Sequence, residues 1–134
     1  MRTMKKFQVL YDEFAEATER LNEALKKPRD EFMRDSCIKR FELTFDLAWK
    51  AVKAFLEDKG VSCASPLGCF KEAYRQSVVE YEDTWLELVE TRNKTVHTYD
   101  EVLADEIYTS LPKALEQFRK LAHTLKNSQE EKNS

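Results

Sequence analysis

Apolar side chains recur every three or four positions along most of this chain, which is the spacing of one face of an α-helix. In residues 4–25 they fall at Phe7, Leu10, Phe14, Ala17, Leu21 and Ala24. This run predicts an amphipathic first helix with a narrow apolar seam. Pro28 cannot continue such a helix but suits the first turn of another, so it predicts the end of the first helix and the start of the second.

The second helix is predicted over 28–59, with Gly60 as its C-terminal stop. Its apolar residues form one stripe and also extend beyond it: the stripe is Ile38, Phe41, Phe45, Ala48, Val52 and Phe55, and the residues off it are Leu43, Leu47, Trp49 and Leu56. A helix that is apolar on more than one side is either central in its bundle or shared with a second subunit. We predict both, because four or five helices cannot easily enclose it alone, and we therefore expect a homodimer.

Two shorter helices are predicted next. Ser65 and Pro66 have the residue types of an N-cap and a first helical position, so they predict the start of a short third helix. The fourth helix is predicted over 81–97, with an apolar stripe that Arg92 continues. Because an unpaired charge is costly to bury, the guanidinium of Arg92 is expected to have polar partners.

The last helix is predicted to begin after Asp100, whose side chain suits an N-cap. Pro112 lies inside its apolar pattern, so we expect either a kink or a split with Ser110 as the cap of a second segment. Residues 127–134 contain no apolar side chain and are expected to form a disordered tail. The chain is thus predicted to be one domain, residues 3–126, with an all-α fold: an up-and-down bundle of four to five helices in two long antiparallel pairs.

The composition agrees with this fold class. The 134 residues include only two glycines and three prolines, too few for sheets joined by tight turns, and 35% are charged, which suits long solvated helices. The chain has no window of about 18 uncharged apolar residues and its N-terminus lacks the apolar core of a signal peptide. We therefore expect no membrane contact and a cytoplasmic protein. The net charge of −3 argues against a general nucleic-acid coat.

The three cysteines, Cys37, Cys63 and Cys69, are odd in number and lack the pair spacing of a metal site. We interpret them as reduced cytoplasmic thiols that act as packing groups. Carboxylates and histidines do not cluster at metal-binding spacing either. We predict neither a metal site nor a cofactor.

The candidate chemistry lies in residues 92–100, which read Arg-Asn-Lys-Thr-Val-His-Thr-Tyr-Asp and contain one of the two histidines of the chain. In an ideal helix Arg92 and His97 would differ by roughly 140° in azimuth and about 7.5 Å in rise, and Tyr99 would point nearly opposite His97. These side chains can converge only if the helix ends near His97, or if a second subunit brings another copy close. A two-fold axis nearby would gather two arginines and two histidines into one cleft.

Such a cleft would suit a phosphodiester. The fork of Arg92 matches a phosphate with two parallel hydrogen bonds, and His97 can exchange a proton near neutral pH. For RNA, this pair could support attack of a 2′-hydroxyl on its own phosphate without a metal. Asn93 could add a hydrogen bond to the substrate or orient the histidine.

The same residues also have possible structural roles. Arg92 could simply pair with Glu42 or Asp46, if the second helix faces the fourth. His97 could cap the C-terminus of a helix, where positive charge is favourable. Tyr99 could be a loop aromatic that covers the core.

Two segments together resemble a known family. They read Arg40-Phe-Glu-Leu-Thr-Phe-Asp-Leu-Ala-Trp-Lys50 in the second helix, and Arg92-Asn-Lys-Thr-Val-His-Thr-Tyr-Asp100. They resemble the HEPN family (higher eukaryotes and prokaryotes nucleotide-binding domain), and in particular its small bacterial and archaeal members known as nucleotidyltransferase substrate-binding proteins. The second segment matches the Arg-x4-His-x-Tyr signature of that family, and the predicted helices agree with it over nearly the whole chain.

The resemblance implies a helical bundle that dimerises with the signature residues at a shared cleft, and a minimal nucleotidyltransferase as partner. It implies that the HEPN subunit is an RNA-cleaving toxin and the nucleotidyltransferase its antitoxin. Arg92 and His97 would then be the nuclease residues, with Asn93 and Asp100 in support. Tyr99 would be the hydroxyl to which the partner attaches AMP, and the added anion next to His97 should block an RNA phosphate.

Three hypotheses follow. The first is a metal-independent endoribonuclease toxin that is neutralised by adenylylation of Tyr99. The second is a non-catalytic subunit that binds a nucleotide or another substrate for the nucleotidyltransferase, which the acidic composition and the lack of an obvious basic groove favour. The third is a structural dimer in which the polar residues of the signature only stabilise the fold.

Overall fold

The computed structural model of the chain describes the backbone of residues 2–133 and the side chains of residues 5–129. It contains five α-helices, α1 Arg2–Leu25, α2 Glu31–Asp58, α3 Pro66–Arg75, α4 Glu82–Lys94 and α5 Glu101–Asn133, and a 3-10 turn, Thr95–His97. Over this range the chain forms no strand. The prediction of an all-α bundle is confirmed.

The three long helices form the body of the bundle, and the two short ones cover one side of it. α1, α2 and α5 each pack on the other two, α3 packs on α2, and α4 packs on α3 and α2. The ring of Phe118 on α5 joins these layers, since it lies 6.0 Å from Phe14 on α1, 5.9 Å from Phe41 on α2 and 6.0 Å from Trp85 on α4, measured between ring centroids. Edge-on and tilted aromatic pairs of this kind stabilise a core beyond the area that they bury.

The start of α2 differs from the prediction. The helix begins at Glu31 rather than at Pro28, because the side chain of Asp30 accepts a hydrogen bond of 2.7 Å from the backbone N–H of Met33 and acts as the N-cap. Pro28 lies in the connector after α1. The end is as predicted: Gly60 has a φ of +78°, the left-handed conformation that terminates a helix and that glycine adopts without strain.

The start of α3 is confirmed. Ser65 accepts a hydrogen bond of 3.0 Å from the backbone N–H of Gly68, and Pro66 is the first helical residue. α4 ends three residues earlier than predicted, at Lys94, and residues 95–97 continue as a tighter 3-10 turn. Such turns commonly close an α-helix.

α5 is a single helix that includes Pro112, so of the two alternatives predicted there, a kink or a split, the split is wrong. Proline costs the helix one backbone hydrogen bond, and packing of the helix on both α1 and α2 offsets that loss. Ser110 does not cap a second segment, and its hydroxyl instead donates to the carbonyl oxygen of Ile107, at 2.6 Å.

The same helix continues through the segment 127–133, where a disordered tail was predicted. No glycine or proline follows Pro112 to end it. Ser134 lies outside the described residues.

The interpretation of the cysteines is partly wrong. Cys63, in the connector after α2, forms a disulfide with Cys69 on α3, and their Cα atoms are 5.1 Å apart. The chain reverses at the Ser65 cap between them, which brings the two close enough to be bridged. Cys37 is a free thiol buried in the core, as expected of a packing group, and burial raises its pKa.

Candidate functional site

The signature residues lie where the chain turns from α4 into α5. After the 3-10 turn, the backbone N–H of Asp100 donates to the carbonyl oxygen of His97, at 3.0 Å. The carboxylate of Asp100 then accepts a hydrogen bond of 3.2 Å from the backbone N–H of Leu103. Asp100 is therefore the N-cap of α5, as the sequence predicted, and residues 95–100 form a short turn between two helices. We call residues 95–100 the signature turn.

Arg92 sits at the base of the signature turn with its guanidinium in a defined set of contacts. Its Nε and one terminal nitrogen donate to the two carboxylate oxygens of Asp46 on α2, at 3.2 and 3.4 Å. Its other terminal nitrogen donates to the hydroxyl of Thr95, at 3.1 Å, and that hydroxyl is buried. The sequence had left open a pair with Glu42 or Asp46, and the structure shows Asp46.

These contacts leave part of the Arg92 side chain accessible to a ligand. Its side chain is 25% exposed and the Asp46 side chain 39%. A guanidinium has five N–H donors, and three of them are used by Asp46 and Thr95. Arg92 thus keeps donors for an anion, but that anion would share the guanidinium with the carboxylate of Asp46.

His97 and Tyr99 form a pair on the surface of the signature turn. The Nδ1 atom of His97 lies 3.1 Å from the hydroxyl oxygen of Tyr99, and the two rings meet edge to face with centroids 5.7 Å apart. Both residues are exposed, and Tyr99 is 80% exposed. The possible role of Tyr99 as an aromatic cover for the core is therefore wrong.

The pair forms because the chain leaves the α-helical path. In a continuous helix Tyr99 would point away from His97, but α4 ends at Lys94 and the 3-10 turn redirects the residues after it. Arg92 is not part of the pair: within the described side chains, no hydrogen bond joins it to His97. Asn93 is exposed on α4.

A second arginine, which was not among the predicted site residues, holds the other end of the signature turn. The side chain of Arg34 on α2 is only 6% exposed. It donates to Glu101 at 2.7 Å and to Asp105 at 3.1 Å, both in the first turns of α5, and to its neighbour Asp35 at 3.0 Å. The hydrogen bond with Glu101, followed by the one with Asp105, raises the pKa of Arg34.

Asp105 is also bound by the exposed Arg29, at 2.8 Å. The hydrogen bond from Arg34, followed by that from Arg29, lowers the pKa of Asp105. A sequence signal for Arg34 did exist, because it precedes Ile38 and Phe41 on the same apolar stripe of α2. The signature turn is consequently tied to α2 at both ends, by Arg92 with Asp46 and by Arg34 with α5.

Exposed apolar side chains lie on α2, in the signature turn and at the start of α5. Leu43 on α2 is 54% exposed and precedes Asp46 by one turn of helix, and Val96 in the signature turn is 67% exposed. Val102, just beyond it, is 69% exposed, and Phe32 near the start of α2 is 84% exposed. Such side chains are candidates for an interface.

The described residues contain neither a metal-binding cluster nor a membrane-spanning helix. No group of three or more histidines, cysteines and carboxylates is arranged to hold a metal ion. None of the described helices is long and apolar enough to cross a membrane.

The fold and the site therefore define a class of protein: an all-α bundle with an Arg-x4-His-x-Tyr turn between its last two helices. The model of the family described as "nucleotidyltransferase substrate binding protein like" matches residues 9–127. The chain belongs to this family. No curated protein matches it significantly.

Solved structures have the same fold. A crystal structure of a protein from Thermus thermophilus has a TM-score of 0.79 and 33% identity, and the match covers 84% of this chain and 98% of that one. HI0074 from Haemophilus influenzae has a TM-score of 0.68 and 19% identity over 90% of this chain and 96% of its own. That structure is described as the fold of a substrate-binding domain of a nucleotidyltransferase. At this identity it supports the fold alone.

Proposed function

We propose that this chain is the HEPN subunit of a two-component toxin–antitoxin module whose other component is a minimal nucleotidyltransferase. In this proposal the chain is a metal-independent endoribonuclease that uses Arg92 and His97, and the partner silences it by attaching AMP to Tyr99. Membership of a family named for nucleotidyltransferase substrate binding supports the choice of partner.

The observation that carries the proposal is the exposed pair of His97 and Tyr99. A hydroxyl that is to accept AMP must reach the active site of another protein, and the Tyr99 side chain is 80% exposed. An AMP group there would place a bulky anion beside the imidazole, because the hydroxyl oxygen is 3.1 Å from Nδ1 of His97. That anion would repel an RNA phosphate and occupy its place.

Cleavage in this proposal takes place in a homodimer. Arg92 contacts Asp46 and Thr95, while His97 contacts Tyr99, so among the described side chains of one copy no hydrogen bond joins the arginine to the histidine. A two-fold axis beside the signature turn would place two copies of each residue around one cleft. The exposed side chains of Leu43 and Val96 would be buried by such contact.

A second candidate function is a non-catalytic subunit that binds a nucleotide or another substrate for the nucleotidyltransferase. The ion pair of Arg92 with Asp46 favours it, because the carboxylate offsets the positive charge with which Arg92 would stabilise the transition state of cleavage, while the remaining N–H donors can still bind an anion. The net charge of −3 also makes a long RNA track less favourable than a site for one small anion.

Expression of the chain alone discriminates between the two. Growth and total RNA are followed for the wild type, for His97→Ala, and for His123→Ala as a control at the other histidine, which contacts Asn127 on the exposed side of α5. The toxin proposal predicts growth arrest and RNA cleavage that only His97→Ala abolishes. A well-folded wild type that neither arrests growth nor cleaves RNA would favour the binding subunit.

A further inference from the structure

The contact between His97 and Tyr99 has the geometry of a proton transfer. A phenol hydroxyl can donate to Nδ1 of a neutral imidazole whose ring proton is on Nε2, and the 3.1 Å distance lies within hydrogen-bond range. The two rings meet edge to face at 84°, and both side chains face solvent. The hydroxyl that would be modified is therefore already paired with a group that can accept its proton.

We propose that His97 is the general base for modification of Tyr99, so that this chain supplies a catalytic residue for its own adenylylation. This inference rests on the proposed function. The phenol oxygen of Tyr99 attacks the α-phosphorus of ATP held by the partner, and a new phosphorus–oxygen bond forms as the bond to pyrophosphate breaks. The phenol proton passes to Nδ1 of His97, and the resulting imidazolium releases a proton to solvent.

Tyr81 provides an internal control for the effect of His97 on the reactivity of Tyr99. Tyr81, just before α4, is 64% exposed, close to the exposure of Tyr99. The chain has two histidines, and the described contacts pair one with Tyr99 and the other with Asn127. Tyr81 therefore reports the reactivity of an exposed phenol to which no histidine is hydrogen-bonded among the described contacts, in the same molecule and under the same conditions.

One consequence is specific to this arrangement. The histidine assigned to RNA cleavage is also the residue that promotes silencing of the enzyme. A variant at His97 should then be doubly affected, with lost cleavage and slow modification. A histidine that only cleaves RNA would leave the modification rate unchanged.

The test uses a small electrophile, so it requires neither the partner nor RNA. The purified chain is treated with N-acetylimidazole, which acetylates accessible phenols, and peptide mass spectrometry gives the rates at Tyr99 and Tyr81. We expect Tyr99 to react faster than Tyr81. We expect His97→Ala to lower the Tyr99 rate by roughly tenfold or more, because general bases contribute about a hundredfold or more in well-ordered sites. The Tyr81 rate should stay unchanged.

His97→Gln separates a base from an orienting group. Glutamine can still accept a hydrogen bond from the Tyr99 hydroxyl, but it cannot take the proton. We expect this variant to be as slow at Tyr99 as His97→Ala. A Tyr99 rate that is unchanged in His97→Ala, or that His97→Gln retains, would overturn the proposal.

The same variants are then assayed with the partner nucleotidyltransferase and ATP, with AMP on Tyr99 as the readout. We expect the rate of adenylylation to fall by about tenfold or more in His97→Gln. An equal rate in His97→Gln and wild type would overturn the role of His97. If the wild type receives no AMP, the proposed function fails, while the acetylation rates still decide whether His97 activates Tyr99.

Discussion

At the scale of single residues, two arginines of this chain occupy similar positions in the sequence pattern but have different environments. Arg92 and Arg34 each continue an apolar stripe of their helix, and each binds carboxylates on another helix. Arg34 is almost fully enclosed, whereas Arg92 keeps a quarter of its side chain exposed. We therefore assign Arg34 to the support of the signature turn and Arg92 to the candidate site.

Replacement of Arg92 by lysine tests the role of its fork. Lysine keeps the charge but cannot make two parallel hydrogen bonds to a phosphate. We expect RNA cleavage to fall by roughly tenfold or more, with a change of less than about 1 kcal/mol in the free energy of unfolding, since the Arg92–Asp46 pair is partly exposed. Cleavage of labelled RNA and urea unfolding provide the two measurements. Arg20→Lys is the control, because Arg20 pairs with Glu16 on the surface of α1.

Asp105 gives the protein a specific pH dependence. Arg34, followed by Arg29, holds the pKa of Asp105 below its ordinary value of 3.8. Between the pKa of Asp105 in the folded chain and its ordinary value, the unfolded chain therefore binds more protons at this carboxyl than the folded chain does. Stability rises with pH in that range. The contribution is fully present above about pH 4 and is lost as the pH falls through the folded-state pKa.

We expect Asp105→Asn to lose less stability than the wild type when the pH is lowered from 6 to 3, as measured by urea unfolding. The same change at Asp12, an exposed residue of α1 that accepts a hydrogen bond from Gln8, serves as the control. Parallel pH curves for the wild type and Asp105→Asn would contradict the assignment.

At the scale of elements, α2 is the support of the signature turn. It carries both Asp46, which binds Arg92 before the turn, and Arg34, which binds the start of α5 after it. Three ion pairs to one helix explain how six residues with several exposed side chains keep a defined path. Arg34 only holds the turn, whereas Arg92 holds it and also belongs to the candidate site.

Removal of Arg34 should loosen the turn more than removal of its exposed neighbour. Arg34→Met deletes the contacts with Glu101 and Asp105, while Arg29→Met deletes one contact with the same Asp105. We expect Arg34→Met to lower Tm by several degrees and to speed amide exchange in residues 98–104, with a smaller effect of Arg29→Met. Equal effects of the two variants would contradict a special role for the buried arginine.

The boundaries of the elements show which features a sequence can predict. Ser65 and Gly60 were predicted correctly, because an N-cap and a left-handed glycine act through the backbone of their own turn. Pro28 was misassigned, since Asp30 caps the helix two residues later and both types are compatible with a helix start. Pro112 is tolerated within α5 because of contacts with distant helices, which no local pattern reveals.

The features of the candidate site also divide into those that a sequence can predict and those that it cannot. The need of Arg92 for a partner followed from its position on an apolar stripe, and Asp46 was one of two candidates. The pairing of His97 with Tyr99 could not be predicted from helical geometry, because it depends on the 3-10 turn. The Cys63–Cys69 bridge depends on a chain reversal, so cysteine counting alone gave the wrong answer.

At the scale of the whole molecule, the proposal needs two copies of the chain. One copy separates the contacts of Arg92 from those of His97, and it leaves large apolar side chains exposed beside both. A homodimer that covers Leu43 and Val96 would remove apolar surface from water and complete a cleft with two arginines and two histidines.

We expect the wild-type chain to sediment as a dimer at micromolar concentration. Leu43→Asp should shift it to a monomer, because a charge would be buried without a partner in the interface. Val9→Asp is a matched control on α1, since Val9 is 50% exposed and Leu43 54%. A monomeric wild type would contradict the shared cleft, and so would a Leu43→Asp variant that remains dimeric.

The central claim is that Tyr99 is the residue through which a nucleotidyltransferase controls this protein. The most direct measurement is peptide mass spectrometry of the chain after incubation with that partner and ATP, combined with an assay of RNA cleavage. We predict AMP on Tyr99, none on Tyr81, and loss of cleavage in proportion to the modified fraction, with Tyr99→Phe still able to cleave RNA and no longer silenced. Full silencing of Tyr99→Phe by the partner, or silencing of the wild type without AMP on Tyr99, would contradict the account.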